Sequence, residues 1–513
     1  MSFSGAQQER TIDSYIEESW SFLRRSAEHL VEAAVDPKLG ERDRYPVFLS
    51  PDEDLETVRQ TLLDRLGRSE LERIEFRSLP PDIKEKPQLE GGIDAHGLLY
   101  LPHPYVVPGG RFNEMYGWDS HFINLGLLAS GRIDEAREMV DNHVYQVEHY
   151  GRVLNANRTY YLTRSQPPFL ATMVADVYRH TGDRVWLEGT LPALEETYRF
   201  WTTEPHLTPE TGLSRYLDLG QGPADEVVAS EKDEAGHTHY DRIADEFRAL
   251  LGLEPEEREH LLGYPLELYY DASSDRLTDL FYQGDRSMRE SGYDPSDRFG
   301  RFNIDVTFSN PVDLNSLLYG FELEMATLMR LADRADQAPV WQARAESRQT
   351  AMHRYLWDEP AGQFFDYNLR SGSRRPYPFA TTFFPLWTGW ASEQQAAAVH
   401  ARIATFLQPG GLVTSLQATG NQWDFPFGWA PLQLAAVEGL ARYGYHDSAR
   451  RIAEAFCGMV EDEYARCGTI VEKYDVVRRS ADVSEDIAFG YSSNEIGFGW
   501  TNGVYLLLKE RLT

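Results

Sequence analysis

Pro108 to Phe122 reads PGGRFNEMYGWDSHF. One arginine, two carboxylates and four aromatic rings stand within these fifteen residues. Carbohydrate sites need that mixture. Flat rings cover the apolar faces of a sugar, and Arg, Asp and Glu hydrogen-bond its hydroxyls in a fixed geometry. A second run of the same character, QWDFPFGWAPLQ, spans Gln422 to Gln433.

The rest of the chain narrows the class of partner. The formal net charge is −31, spread along 513 residues. Nucleic acid and anionic membrane surfaces would be repelled by it. The two cysteines, Cys457 and Cys467, make no disulfide framework and show no metal-ligand spacing. The first residues, MSFSGAQQERTIDSYIEESW, lack the basic start and apolar core of a signal peptide. No stretch approaches the roughly eighteen apolar residues of a membrane span. The expectation is a cytoplasmic protein acting on a neutral small molecule, with no nucleic-acid or membrane partner. The oligomeric state is left open.

Helical periodicity recurs from end to end. It predicts helices over Ser14–Ala33, Arg184–Trp201, Asp313–Ala335, Ser392–Phe406, Pro431–Tyr443, His446–Tyr464 and Gly503–Leu512. Strand-like pieces are short: Gly97–Leu101, Gly362–Tyr367 and Gly411–Thr414. Residues 1–95 read as an N-terminal helix followed by a loop-rich wrapping segment, with prolines at 80, 81 and 87. Residues 96–513 read as the catalytic domain. Within it, 227–289 is a charged insertion containing EPEERE, Glu254 to Glu259. It is either a lid over the site or a surface insertion.

Both aromatic-acid runs resemble the two signatures of the trehalases, a family of inverting α-glucosidases. Three further stretches resemble family segments in the same order: NANRTYYLTRSQPPF (Asn155–Phe169), RESGYDPSDRF (Arg289–Phe299), and VEKYDV (Val471–Val476) followed by GFGWTNGV (Gly497–Val504). The resemblance implies an all-α fold, the (α/α)6 toroid or barrel, with long site-forming loops and short β-hairpins. It implies Asp294 as general acid and Glu472 as general base. By composition alone, Asp294 would be a turn residue before Pro295, and Glu472 a surface partner of Lys473. The resemblance further implies substrate contacts from Arg111, Phe112, Tyr116, Trp118, Asp119, Asn155, Arg164, Gln166, Glu226, Gly292, Trp423, Asp424, Tyr491 and Trp500. No metal and no organic cofactor is implied. An inverting pair must stand roughly 6.5–9.5 Å apart to admit the attacking water.

Three positions depart from the family pattern. The family's P-R-P-E-S-Y is PADEVV here, which puts Ala224 at the arginine and keeps Glu226. Phe427 replaces an asparagine in the second signature. Tyr491, in GYSSNE, falls where the family carries a glutamate, with Glu495 close by. Lost polar partners change discrimination steeply. The departures therefore predict a retained glucose subsite and an altered leaving-group subsite, with Phe427 narrowing the space. The substrate expected on that ground is glucosylglycerol, a compatible solute. The alternatives are α,α-trehalose, glucosylglycerate held by Arg111, Arg164 and Arg289, and a sugar-binding protein without turnover.

Overall fold

The computed structural model describes residues 10–40, 42–88, 95–230, 236–483, 487, 490, 491 and 493–512. Residues 1–9, 41 and 89–94 of the expected N-terminal region, 231–235 of the insertion and Ser492 of GYSSNE lie outside the described residues.

Six helices form a closed inner ring. In order around it they are Asp119–Ala129, Leu170–Thr181, Val312–Leu331, Phe384–Thr388, Ala430–Arg442 and Gly499–Glu510, the last packing back on the first. Outside them lie Ile12–Leu23, Ile133–Tyr150, Arg184–Thr202, Ala338–Tyr355, Glu393–Ala401 and His446–Cys467. This is the expected (α/α)6 toroid. The inner helices are buried on nearly every face, and the outer ones bury one stripe. Burial on every face leaves Asp119–Ala129 no polar stripe for periodicity to find, although the expected helices include the inner Val312–Leu331, Ala430–Arg442 and Gly499–Glu510 and omit the outer Ile133–Tyr150 and Ala338–Tyr355. The ring closes through two glycines. A Cβ on Gly126 would lie 2.6 Å from the Cα of Gly503, and one on Gly503 would lie 2.2 Å from the carbonyl of Phe122. Only backbone fits between these two helices.

Local chemistry sets the helix ends. Asp183 caps Arg184–Thr202 by accepting the Trp186 N–H at 3.0 Å. Ser392 and Gln395 form a reciprocal capping box at Glu393–Ala401.

The expected helix over Ser14–Ala33 is broken. Ile12–Leu23 is helical, and Arg24–Arg25 then pairs antiparallel with Tyr105–Val106. The helix resumes at Leu30–Ala34. Arg25 is tied instead to Asn113, Nε to Oδ1 at 2.8 Å. A three-stranded parallel sheet follows, in the order Ile74–Ser78, Tyr45–Leu49, Leu98–Leu99. Its core is Val47, Leu49, Leu62 and Ile74. The 227–289 stretch folds into His239–Leu250, Pro255–Leu262 and most of Asp279–Glu290. Ile243, Phe247, Tyr269 and Phe281 give it a core that also takes in Ala224 and Val227.

Candidate active site

A cavity of about 100 Å3 opens at the N-terminal ends of the inner helices. Asp119 is the first residue of its helix, Trp500 lies in the first turn of Gly499–Glu510, and Trp429 precedes Ala430–Arg442. The loops entering these helices carry the chemistry. Inner-ring packing fixes their roots, so side chains distant in sequence converge.

Glu472 precedes the short strand Lys473–Asp475, which pairs antiparallel with Phe427–Trp429. Its backbone is pinned on both sides. Its N–H donates to the Glu495 carbonyl at 2.9 Å, and its carbonyl accepts the Trp500 indole N–H at 3.2 Å. The carboxylate is buried. Oε1 accepts the Tyr491 hydroxyl, and Oε2 lies 3.3 Å from Lys473 Nζ. Burial raises the Glu472 carboxyl above its usual range, while Lys473, Tyr491 and Arg111 oppose the rise and Glu495 adds to it. Lys473 itself is buried and held by Gln422 Oε1 at 3.1 Å and the carbonyls of Tyr491 and Ser493 at 3.3 and 3.2 Å.

Asp294 reaches the cavity after the helix Asp279–Glu290. Its side chain is one-third exposed, and Oδ2 lies 3.7 Å from Arg289 Nη1. The turn before it is fastened by Ser291 Oγ accepting the Tyr293 N–H at 3.2 Å, and by Asn303 donating to the Tyr293 carbonyl at 3.1 Å. Gly292 has φ +79°, and a Cβ there would lie 2.9 Å from the Trp118 ring. Asp119 is fully buried. Burial first, then the charges of Glu472 and Asp294, push its carboxyl well above the usual range. Three carboxyl groups therefore share one field.

The walls are aromatic. Trp423 stacks on Trp429 with centroids 3.8 Å apart, and Trp118 meets Trp500 edge-on at 5.6 Å. Phe112 and Tyr116 complete that side. Arg164 lies between two buried carboxylates, Nε 2.8 Å from Asp218 and Nη1 2.7 Å from Glu226. Its Nη2 is buried without a partner among the described residues. Gln166 accepts the Trp118 N–H at 2.9 Å, and Asn155 donates to the Arg289 carbonyl at 3.3 Å. The Arg111 guanidinium lies 4.2 Å from the Tyr491 ring centre, and the Arg111 backbone N–H donates to the Glu495 carboxylate at 2.8 Å.

Every predicted site residue but one lines this cavity. Asp424 lies behind it. Its carboxylate is committed to the Tyr377 hydroxyl at 2.8 Å, the Thr419 hydroxyl at 2.6 Å and the Asp297 N–H at 3.0 Å. Burial pushes it up to about 6. Asp424 thus orders the loop carrying Trp423. Phe427 is fully buried in its strand and does not line the cavity, so it narrows nothing. Ala224 is buried as well. Its N–H donates to the Tyr240 hydroxyl at 2.9 Å, which donates on to Asp285 at 2.7 Å. Asp285 in turn holds the cavity-lining Arg289 at 3.1 Å. Residues from the insertion therefore occupy the surroundings of the replaced arginine. Lys38, His239, Gln422 and Trp429 also line the cavity. Lys38 and His239 sit on segments with no motif. Gln422 and Trp429 lie inside the second signature-like run, which was the available signal.

The family model described as Trehalase matches residues 7–512. A cytosolic neutral trehalase of Neurospora crassa is 34% identical over 95% of this chain and 71% of its own length. One of Saccharomyces cerevisiae is 36% identical over 79% of this chain and 56% of its own. The solved neutral trehalase of Saccharomyces cerevisiae superposes with a TM-score of 0.80 at 31% identity, covering 98% of this chain and 94% of that one. A mannosylglycerate hydrolase of Thermus thermophilus, at 18% identity and TM-score 0.51, shares the fold. These relatives overturn the expectation of glucosylglycerol as substrate. The physical reason is visible in the site. One of the three departures, Phe427, never reaches the cavity, and a second, Ala224, is surrounded by the Tyr240–Asp285–Arg289 chain.

Proposed function

The chain belongs to the trehalase family, and from that premise we propose that it hydrolyses α,α-trehalose to two glucose molecules with inversion. The observation that carries the reading is that Asp294 and Glu472, on segments 178 positions apart in sequence, line one aromatic-walled cavity. Asp294 gives its proton to the glycosidic oxygen. Glu472 takes a proton from a water, whose oxygen bonds to C1 as the C1–O bond breaks. Asp119, Arg164, Asn155 and Gln166 hold hydroxyls, and Trp118, Trp423 and Trp500 cover apolar sugar faces. Arg289 and Arg111 supply donors on the outer side, where Ala224 supplies none. The relatives' names place them in the cytosol, and the same location is proposed here. Among the described residues no helix is long and apolar enough to cross a membrane.

Proton NMR of the reaction tests this directly. Inversion at one C1 gives, at early times, one β-glucose for each α-glucose released. No turnover of trehalose, or α-glucose alone, refutes the reading.

A further inference from the structure

Tyr491 occupies an unusual electrostatic position. Its hydroxyl donates to Oε1 of Glu472. Two cations lie against its ring, Lys473 Nζ at 3.8 Å and the Arg111 guanidinium at 4.2 Å from the centroid. Phe112 packs edge-on at 5.8 Å. The Tyr491 carbonyl also accepts from Lys473 at 3.3 Å. One residue thus touches the carboxylate, the ammonium beside it and the guanidinium across it.

We propose that Tyr491 is a positioning residue for the base: its hydroxyl holds and aims the Glu472 carboxylate, and its ring is fixed by the two cations against it. The proposal rests on the reading of Glu472 as base. Glu472 must be anionic before it can take a proton from water. A phenol stabilises the anion by donating to it. Burial and the adjoining Glu472 charge keep the Tyr491 proton in place well above the usual range, so the hydroxyl acts as a donor.

The other charges facing Glu472 do not duplicate this contact. Lys473 sits at the second oxygen. Arg111 acts through space. Glu495 works against the anion, although its carboxylate accepts from the Arg111 backbone N–H and the Ser493 hydroxyl, both at 2.8 Å. Asp119 shares the field of Glu472, and Asp294 reaches Tyr491 through space. Both would add negative charge to the neighbourhood when ionised. The phenol is therefore the neutral group that favours the anion by contact.

Tyr491→Phe keeps the ring against its two cations and removes only the donor. Two readouts are needed. The first is the pH profile of kcat/KM on trehalose. The second is the 13C titration of the Glu472 carboxyl, identified by difference against Glu472→Gln, which needs no turnover. The expected result is a shift of about one pH unit upward in both the acidic limb and the carboxyl titration, about tenfold in kcat/KM below the limb, with KM within about twofold. If Tyr491→Phe folds, as near-UV circular dichroism would show, and neither the limb nor the titration moves, the proposal is overturned. If the unmodified protein leaves trehalose intact, the proposed function falls, and the carboxyl titration still decides whether Tyr491 holds Glu472.

Discussion

Arg164 and Glu226 form a buried ion pair, Nη1 to Oε1 at 2.7 Å, on the wall of the cavity. Asp218 holds the same guanidinium from the other side at 2.8 Å. Two carboxylates thus orient one cation, whose Nη2 is buried without a partner among the described residues. Taking away one carboxylate leaves the cation half-compensated in a low-dielectric wall. Glu226→Ala should lower stability by about 2 kcal/mol in urea unfolding. It should raise KM for trehalose more than it lowers kcat. An unchanged KM would show that neither Glu226 nor the hold it has on Arg164 matters to sugar binding.

The two proposed proton-transfer groups differ in their surroundings, and so should their variants. Asp294→Asn and Glu472→Gln should each lower kcat by about 10^3-fold. The Asp294 side chain is one-third exposed, so Asp294→Asn should leave the urea midpoint close to that of the unmodified protein. Near-normal turnover in either variant would remove that residue from the mechanism.

Stability should depend on pH with opposite signs at two buried aspartates. Arg286 and Arg164 pull Asp218 down to about 2 against the cost of its burial. Its contribution is present above about pH 4 and is lost as pH falls towards 2. Asp424 is pushed up to about 6 by burial. Between about pH 4 and 6 the folded state holds a proton that the unfolded state releases, so stability falls as pH rises through that window. Asp424→Asn should flatten that slope, which is worth up to about 3 kcal/mol. Unfolding free energies at four or five pH values would show whether it does.

Phe427→Asn puts an amide at one of the three departing positions, yet Phe427 is buried away from the cavity. KM for trehalose should stay within about twofold of its original value, while stability falls by about 2–3 kcal/mol from a buried amide and lost ring packing. A marked change in KM without loss of stability would contradict this placement.

Gly292 precedes the turn to Asp294 at φ +79°. Gly292→Ala should cost about 1–2 kcal/mol for the left-handed conformation. Its Cβ, 2.9 Å from Trp118, would also press on that ring. Because Trp118 and Asp294 line the same cavity, kcat should fall along with stability, measured by parallel kinetics and thermal melts.

Burial accounts for only part of what is legible in the sequence: the buried inner helices Val312–Leu331, Ala430–Arg442 and Gly499–Glu510 match expected helices, whereas the outer helices Ile133–Tyr150 and Ala338–Tyr355 do not. The outer helices Arg184–Thr202 and His446–Cys467 announce themselves by a polar face, and their expected bounds lie within a few residues of those observed. Asp119–Ala129, with polar Asp119, Ser120 and Asn124 buried beside Phe122 and Leu127, shows no such face. Lys38 and His239 could not be read as cavity residues, because nothing local to either marks a site. Asp424 had the right motif and the wrong expected placement, since a motif gives spacing along the chain but not the direction in which a side chain turns.

The sequence by itself determined the family, the toroidal fold and the carboxyl groups to consider. Those rest on ordered motifs and on periodicity, both local properties of the chain. Tertiary structure alone decided which departures matter. It buried Phe427 away from the cavity, surrounded Ala224 with Tyr240, Asp285 and Arg289, and brought the Tyr491 hydroxyl onto Glu472. Each of these outcomes depends on contacts between segments far apart in the chain, made only when the ring of helices closes and brings the loops at its N-terminal end together.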